Sequence, residues 1–238
     1  MTVEVRDVAY AVDGVQMVGH LAVPDGDTVR PGVLVCHEGP GLDDHAKGRA
    51  EQLAAELGVV AFALDYHGGG TALPREQIME RLVPLMGDPP RIRRLGRAGL
   101  DVLLAEPRVD RSKVAAIGYC FGGTMSLELA RDGADLCAVV GFHSGLATVA
   151  PATPGAVKAR ILVCIGVNDP LIPAEQRSAF EEEMNAAGAD WRMILYSHAA
   201  HSFTNPAASS LGMPGVEYHE HTDRRSWRAM VDTFEEVF

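Results

Sequence analysis

Hydrophobic and polar residues alternate along the start of the chain. Apolar residues recur at every second or third position from Val3 to Tyr10 and again from Val15 to Val23, and the turn dipeptide Asp13-Gly14 separates the two segments. This pattern is typical of an antiparallel strand pair. Short continuous apolar runs rich in β-branched residues follow, as expected for strands buried in a parallel sheet. The runs are Val33–Cys36, Val59–Leu64, Val114–Ile117, Cys137–Phe142, Ile161–Ile165 and Trp191–Tyr196.

Segments with helical periodicity separate the apolar runs. They cover residues 44–57, 91–105, 121–131, 174–187 and 222–238. Glycine follows the first and fourth of them, and two prolines precede the second, which are common signals at helix ends. Because parallel neighbours need right-handed crossovers, this alternation predicts an α/β fold with a mostly parallel, doubly wound sheet. No linker or repeat divides residues 1–238, so we expect a single domain with an N-terminal antiparallel strand pair.

Composition and charge exclude several function classes. The 238 residues are 47% hydrophobic and 22% charged, the balance of an ordinary globular protein. The net charge of −11 repels phosphate backbones and anionic bilayers, so we expect neither a nucleic-acid nor a membrane partner. Charged residues at the N-terminus, where a signal peptide would be apolar, favour a cytoplasmic protein. The oligomeric state, monomer or small homo-oligomer, stays open.

Four cysteines occur without a Cys-x-x-Cys pair, so we expect reduced thiols and no zinc site. Cys36, Cys137 and Cys164 lie within apolar runs and are interpreted as packing residues. His219-Glu-His221 has no evident third ligand, so no metal site is predicted. The arginines of residues 91–97 spread over more than one helical face, which favours a solvated surface.

One cysteine stands in a different context. An apolar run leads into Gly118-Tyr-Cys120-Phe-Gly122, and a helical segment begins directly afterwards. This is the form of a nucleophile elbow in which sulfur replaces the serine oxygen. The glycines two residues away on either side would relieve crowding at the sharp turn, and the helix N-terminus would favour a thiolate. The alternative is that Cys120 is one more buried apolar residue.

A nucleophile needs a base and an orienting acid, and the chain offers both after later strands. Asp169 follows the run Ile161–Ile165, and His201 follows the run Trp191–Tyr196. The order nucleophile, acid, histidine is that of α/β-hydrolases. Taken singly, an aspartate before proline is commonly a turn residue and a loop histidine is commonly solvated.

Glu38 follows the run Val33–Cys36 and is predicted to reach the same sheet edge as Cys120. There a buried carboxylate could hold the thiol proton and keep the sulfur neutral until substrate arrives, which would protect the sulfur from oxidation. A surface glutamate beside Asp43 and Asp44 is the alternative.

The segments His37-Glu38-Gly39, Gly118–Gly123, Asn168-Asp169-Pro170 and His201-Ser-Phe203 together resemble the dienelactone hydrolase family of α/β-hydrolases. The resemblance implies Cys120 as nucleophile, His201 as base and Asp169 as its partner, with no cofactor. It also implies that Glu38 contacts the resting thiol, and that the backbone N–H groups of Gly39 and Phe121 form the oxyanion hole.

The resemblance also bears on the substrate. Family members acting on dienelactone use arginines to bind its carboxylate, and one of these positions is Asn205 here. An amide cannot supply bidentate charge pairing, which argues against dienelactone itself as substrate. Four residues are candidates for substrate binding: Arg75, Tyr66, Phe203 and Asn205. For Arg75, an exposed residue at the start of a helix is the alternative.

We therefore expect a cofactor-free, cysteine-dependent hydrolase of small esters or lactones. Two alternatives stay open, since fold and elbow do not fix the acyl acceptor. One is an acyltransferase or an esterase of other specificity, and the other is a non-catalytic ligand-binding protein on the same scaffold.

Overall fold

The computed structural model describes residues 2–238, which form one eight-stranded sheet with helices on both faces. The strands are β1 (Val3–Val12), β2 (Val15–Pro24), β3 (Arg30–Cys36), β4 (Val60–Leu64), β5 (Val109–Tyr119), β6 (Ala138–Phe142), β7 (Arg160–Gly166) and β8 (Trp191–Tyr196). The helices are α1 (Asp44–Leu57), α2 (Arg75–Met86), α3 (Pro89–Ala105), α4 (Phe121–Arg131), α5 (Ala174–Ala187) and α6 (Glu220–Glu235). A short 3₁₀ turn covers Ala208–Leu211.

The strand order is β1-β2-β4-β3-β5-β6-β7-β8. β1 and β2 form an antiparallel hairpin, β2 pairs antiparallel with β4, and every later pair is parallel. Asp13 and Gly14 in the hairpin turn both have positive φ, 51° and 78°, as a two-residue turn matching the strand twist requires. The predicted fold class, including the N-terminal antiparallel pair, is confirmed.

Two hydrophobic cores lie on opposite faces of the sheet. Helices α2, α3, α4 and α5 contribute apolar side chains to one core, for example Leu103 and Phe180. Helices α1 and α6 contribute to the other, for example Leu53 and Phe234. The central strands are covered on both sides, which explains why their sequences are continuous apolar runs and not alternating ones.

Helix α2 was not among the predicted helices. Its apolar residues lie on more than one face. Leu82 and Leu85 are buried, whereas Met79, Val83 and Met86 are exposed. Pro84 also lies inside it. A helix without one clear apolar face gives a weak periodic signal. None of the helices in residues 2–238 combines the length and apolarity that a membrane span requires.

The parallel register places the candidate catalytic residues at one edge of the sheet. Cys36 is paired with Gly118, and Tyr119 with Phe142, so β3, β5 and β6 end at the same edge of the sheet. β7 and β8 end together there as well, with Gly166 paired with Tyr196. Residues that follow these five strands therefore meet at this edge, as in other open parallel sheets.

Candidate active site

Cys120 occupies a sharp turn between β5 and α4. Its φ of 52° and ψ of −120° are unusual for a residue with a side chain, so the surrounding contacts must hold it there. A Cβ on Gly118 would lie 2.2 Å from the Gly122 carbonyl oxygen. A Cβ on Gly122 would lie 2.1 Å from the Cys36 carbonyl oxygen. Because both obstacles are backbone atoms, only glycine fits on either side of the turn.

The base and the acid follow β8 and β7 respectively. His201 Nδ1 lies 2.8 Å from Asp169 Oδ2, and both residues are buried. The second carboxylate oxygen of Asp169 accepts the backbone N–H of Leu171 at 2.8 Å. The His201 backbone is fixed by the loop before α6, since it donates to Gly215 and accepts from Glu217. This leaves Nε2 as the free end of an oriented imidazole.

The protonation of His201 reflects two opposing influences. Burial lowers its pKa, but the neighbouring Cys120 sulfur and the Asp169 carboxylate outweigh burial and raise the pKa to about 11. Nε2 is itself buried and has no hydrogen-bond partner among residues 2–238. The raised pKa makes His201 a proton donor next to the sulfur.

Glu38 lies at the same sheet edge, as predicted, but its carboxylate has other partners. Ser202 Oγ donates to Oε1 at 2.7 Å, and the Asn205 amide donates to Oε2. Burial raises the pKa of Glu38, and these two hydrogen bonds oppose the rise. Within residues 2–238 no hydrogen bond joins Glu38 to Cys120. The loop that follows His201 therefore holds the Glu38 carboxylate, and its contact with the thiol stays a prediction.

The predicted oxyanion-hole residues each directly follow the catalytic edge of the sheet. Phe121 is the first residue of α4, and Gly39 lies in the loop after β3. The Tyr66 hydroxyl donates to the Glu38 carbonyl at 2.9 Å, and His67 Nε2 lies 2.9 Å from the Gly39 carbonyl. These contacts fix the peptide planes of the loop. Neither the Gly39 N–H nor the Phe121 N–H has an acceptor in the described part of the chain.

Three of the four candidate substrate-binding residues make contacts within the protein, and their role towards substrate stays a prediction. Asn205 donates to Glu38 and accepts the Ala207 N–H at 3.0 Å, so both ends of its amide are engaged. Phe203 is fully buried and packs edge-on against His143. Tyr66 is buried, with its ring stacked on His37 at 3.8 Å. Arg75 is exposed at the first turn of α2.

Sequence reasoning missed His143 and Ser202. His143 is fully buried directly after β6, and its Nδ1 lies 3.2 Å from the Cys120 backbone nitrogen. The signal that could have found it is positional, because it follows an apolar strand run just as Glu38 does. The role of Ser202 depends on a loop conformation with a positive φ of 55°, which the sequence does not reveal.

Comparison with known proteins places the chain in a family. The model of the dienelactone hydrolase family matches residues 17–238. A solved structure named m3DLH superposes with a TM-score of 0.93 at 45% identity and covers 99% of both chains. A dienelactone hydrolase-like promiscuous phosphotriesterase from metagenomic libraries superposes with a TM-score of 0.93 at 40% identity, again over 99% of both chains. A Yersinia pestis protein provisionally named a carboxymethylenebutenolidase is 28% identical over 93% of this chain and 84% of its own length. The chain therefore belongs to the dienelactone hydrolase family, with the α/β-hydrolase fold, and is an ester or lactone hydrolase.

Proposed function

We propose that the protein hydrolyses small esters or lactones through a thioester formed on Cys120. His201 moves the protons and Asp169 orients it. The observation that carries the proposal is the His201 ring, which is bound to Asp169 at 2.8 Å and has its pKa raised to about 11 next to Cys120. Such an arrangement places a proton donor beside the nucleophile.

In the first half of the reaction, the Cys120 sulfur attacks the carbonyl carbon of the substrate. The carbonyl electron pair moves onto oxygen, where the N–H groups of Gly39 and Phe121 stabilise the negative charge. Collapse of this intermediate breaks the carbon–oxygen bond to the leaving group. The departing alkoxide takes the proton from His201 Nε2, and a thioester remains on sulfur.

In the second half, His201 acts as a base. Its neutral Nε2 accepts a proton from water while the water oxygen attacks the thioester carbonyl. The carbon–sulfur bond then breaks, the carboxylic acid product leaves, and the thiolate and imidazolium are restored. The buried Asp169 keeps the Nδ1 proton in place throughout, so Nε2 is the nitrogen that exchanges protons.

The test uses a panel of p-nitrophenyl esters and lactones with a matched pair of cysteine variants. Cys120→Ala is expected to abolish turnover while keeping the far-UV circular dichroism of the wild type. Cys137→Ala removes a second partly exposed cysteine whose sulfur contacts Ser112, and it should keep full turnover. Mass spectrometry of the quenched wild type should show the acyl group on the peptide containing Cys120. Unchanged turnover in Cys120→Ala would refute the assignment.

The same panel separates the alternatives. Turnover that yields a new ester or amide when alcohol or amine is added identifies an acyltransferase. Binding of lactones or acids without any turnover identifies a non-catalytic homologue. Four free cysteines support a cytoplasmic location for the hydrolase, since disulfides are rare there.

Neutral phosphotriesters are a second substrate class. The likeness to a promiscuous phosphotriesterase at 40% identity suggests them. The exposed position of Arg75 and the internal engagement of Asn205 favour an uncharged substrate over a carboxylate. Sulfur would displace the aryloxide at phosphorus, and the two N–H donors would bind the phosphoryl oxygen. Release of p-nitrophenol from diethyl p-nitrophenyl phosphate, lost in Cys120→Ala, is the expected result.

A further inference from the structure

His143 lies at the centre of the catalytic edge but does not reach the solvent. It directly follows β6, the strand between those that lead to Cys120 and Asp169. The residue is fully buried, and its backbone N–H donates to the Cys164 carbonyl at 2.8 Å. Its φ of 42° lies in the left-handed region, which is costly for a residue with a side chain. Tertiary contacts must therefore hold this ring in place.

Both ring nitrogens of His143 are hydrogen-bonded. The backbone N–H of Cys120 is shared between the Phe142 carbonyl at 3.0 Å and His143 Nδ1 at 3.2 Å, so Nδ1 is an acceptor and carries no proton. The proton is then on Nε2, which donates to Thr204 Oγ1 at 2.8 Å. Burial lowers the pKa of His143 well below its ordinary value, and the nearby His201 charge lowers it further. The ring is thus neutral, with one acceptor and one donor.

These two bonds join the nucleophile to the segment that carries the base. Thr204 lies three residues after His201, and Arg49 holds its carbonyl at 3.0 Å. The ring of His143 also packs edge-on against that of His201, with centroids 5.3 Å apart. No other described side chain makes hydrogen bonds to both the elbow backbone and the His201 loop. The ring therefore links the backbone of the nucleophile directly to the loop that carries His201.

We propose that His143 is a positioning residue that sets the distance between the Cys120 sulfur and His201 through its bonds to the Cys120 amide and Thr204. The inference rests on the proposed function, in which those two side chains act together. Since reacting groups must be aligned closely, a small displacement of the elbow lowers the rate of chemistry more than it lowers substrate binding.

Substitutions at His143 can remove its two bonds separately. His143→Leu removes both. His143→Asn keeps an acceptor near Nδ1, and His143→Gln keeps a donor near Nε2. We expect His143→Leu to lower kcat roughly ten- to hundredfold with KM largely unchanged. The Asn and Gln variants should each recover part of the loss. The proposal is overturned if folded His143→Leu has the kcat of the wild type. It is also overturned if neither His143→Asn nor His143→Gln has a higher kcat than His143→Leu.

A second readout needs no ester and is independent of the proposed function. The rate of Cys120 alkylation by iodoacetamide is measured against pH, in a background where the other accessible cysteine is replaced by Cys137→Ala. A looser contact with His201 should move the midpoint of this profile to higher pH in His143→Leu. An unmoved midpoint in the folded variant contradicts the positioning role, whatever the turnover.

Two further variants keep the proposal testable if His143→Leu does not fold. Thr204→Val removes the partner of Nε2 and should lower kcat and shift the alkylation midpoint, whereas Thr204→Ser keeps the hydroxyl and should lie closer to the wild type. His20 is a matched control, because it is buried in β2 and both of its nitrogens contact carboxylates, Asp7 and Glu51. His20→Asn should leave the alkylation profile unmoved. An equal shift in His20→Asn, or none in Thr204→Val, overturns the proposal.

Discussion

The two buried carboxylates of the site differ in the charge of their partners. Asp169 is bonded to a histidine whose pKa is raised to about 11, so its negative charge faces a positive one. Glu38 accepts hydrogen bonds from a hydroxyl and an amide, which carry no charge. Neutral donors compensate a buried charge only in part. This explains why burial raises the pKa of Glu38 despite two good hydrogen bonds.

The raised pKa of His201 can be tested directly. Removing the sulfur in Cys120→Ala deletes the largest influence that raises this pKa, while burial continues to lower it. We expect the pKa to fall from about 11 in the variant. The measurement is an NMR titration of the imidazole C–H resonance, identified by its loss in His201→Asn. A pKa that stays near its wild-type value would show that Asp169 alone maintains the imidazolium.

The raised pKa of Glu38 predicts that the stability of the protein depends on pH. Its pKa is raised in the folded state, so above about pH 4.3, the ordinary carboxyl value, the folded protein binds more protons at this site than the unfolded chain. The stability that this extra proton binding contributes is therefore lost as the pH rises towards the folded-state pKa of Glu38. Glu38→Gln has no such titration. The free energy of unfolding of the variant minus that of the wild type should increase between pH 4 and neutrality, measured by urea denaturation. A flat or decreasing difference contradicts the shift.

At the level of elements, the elbow requires glycine at positions 118 and 122, because backbone atoms lie too close to leave room for a Cβ there. A Cβ on Gly118 would lie 2.2 Å from a carbonyl oxygen, which cannot move without distorting the β5–α4 turn. Gly118→Ala should lower the free energy of unfolding by about 3 kcal/mol or more and abolish turnover. Gly48 in α1 is the matched control, because nothing lies within 4 Å of its Cβ position. Gly48→Ala should gain about 0.5–1 kcal/mol and keep turnover. Similar urea midpoints for the two variants would contradict this account.

The elements also show how far the sequence predicts the structure. The bounds of α1, α4 and α5 agree with the predicted helices, because their apolar faces and end signals coincide. β5 extends from Val109, well before the apolar run at Val114, since its first half is partly exposed. The order of residues at the catalytic edge was predictable because each follows a strand. The partners of Glu38 were not, since they depend on how the loop after His201 folds.

At the scale of the whole molecule, a buried charge network fixes the long segment between β6 and β7. Arg131 of α4 donates to both carboxylate oxygens of Glu183 on α5, each at 2.8 Å, and to Glu128 at 3.0 Å. It also donates to the Leu146 carbonyl in the segment itself at 2.7 Å. Arg93 pairs with Glu128 too, which corrects its expected place on a solvated surface, because only 19% of its side chain is exposed.

Breaking this network should destabilise the molecule as a whole. The side chains of Arg131 and Glu128 are 1% and 2% exposed, so Arg131→Ala leaves carboxylates buried without their full compensation. Loss of one partner from a buried pair costs about 3–5 kcal/mol. Arg97→Ala is the control, since its pair with Asp132 is 43% and 36% exposed and such pairs contribute about 0–1 kcal/mol. The two are compared by urea denaturation at constant salt. Because Arg131 joins two helices and the segment after His143, its variant should lose turnover and circular dichroism at the same lowered urea concentration. If Arg131→Ala cost no more than Arg97→Ala, the network would contribute no more to stability than a surface pair does.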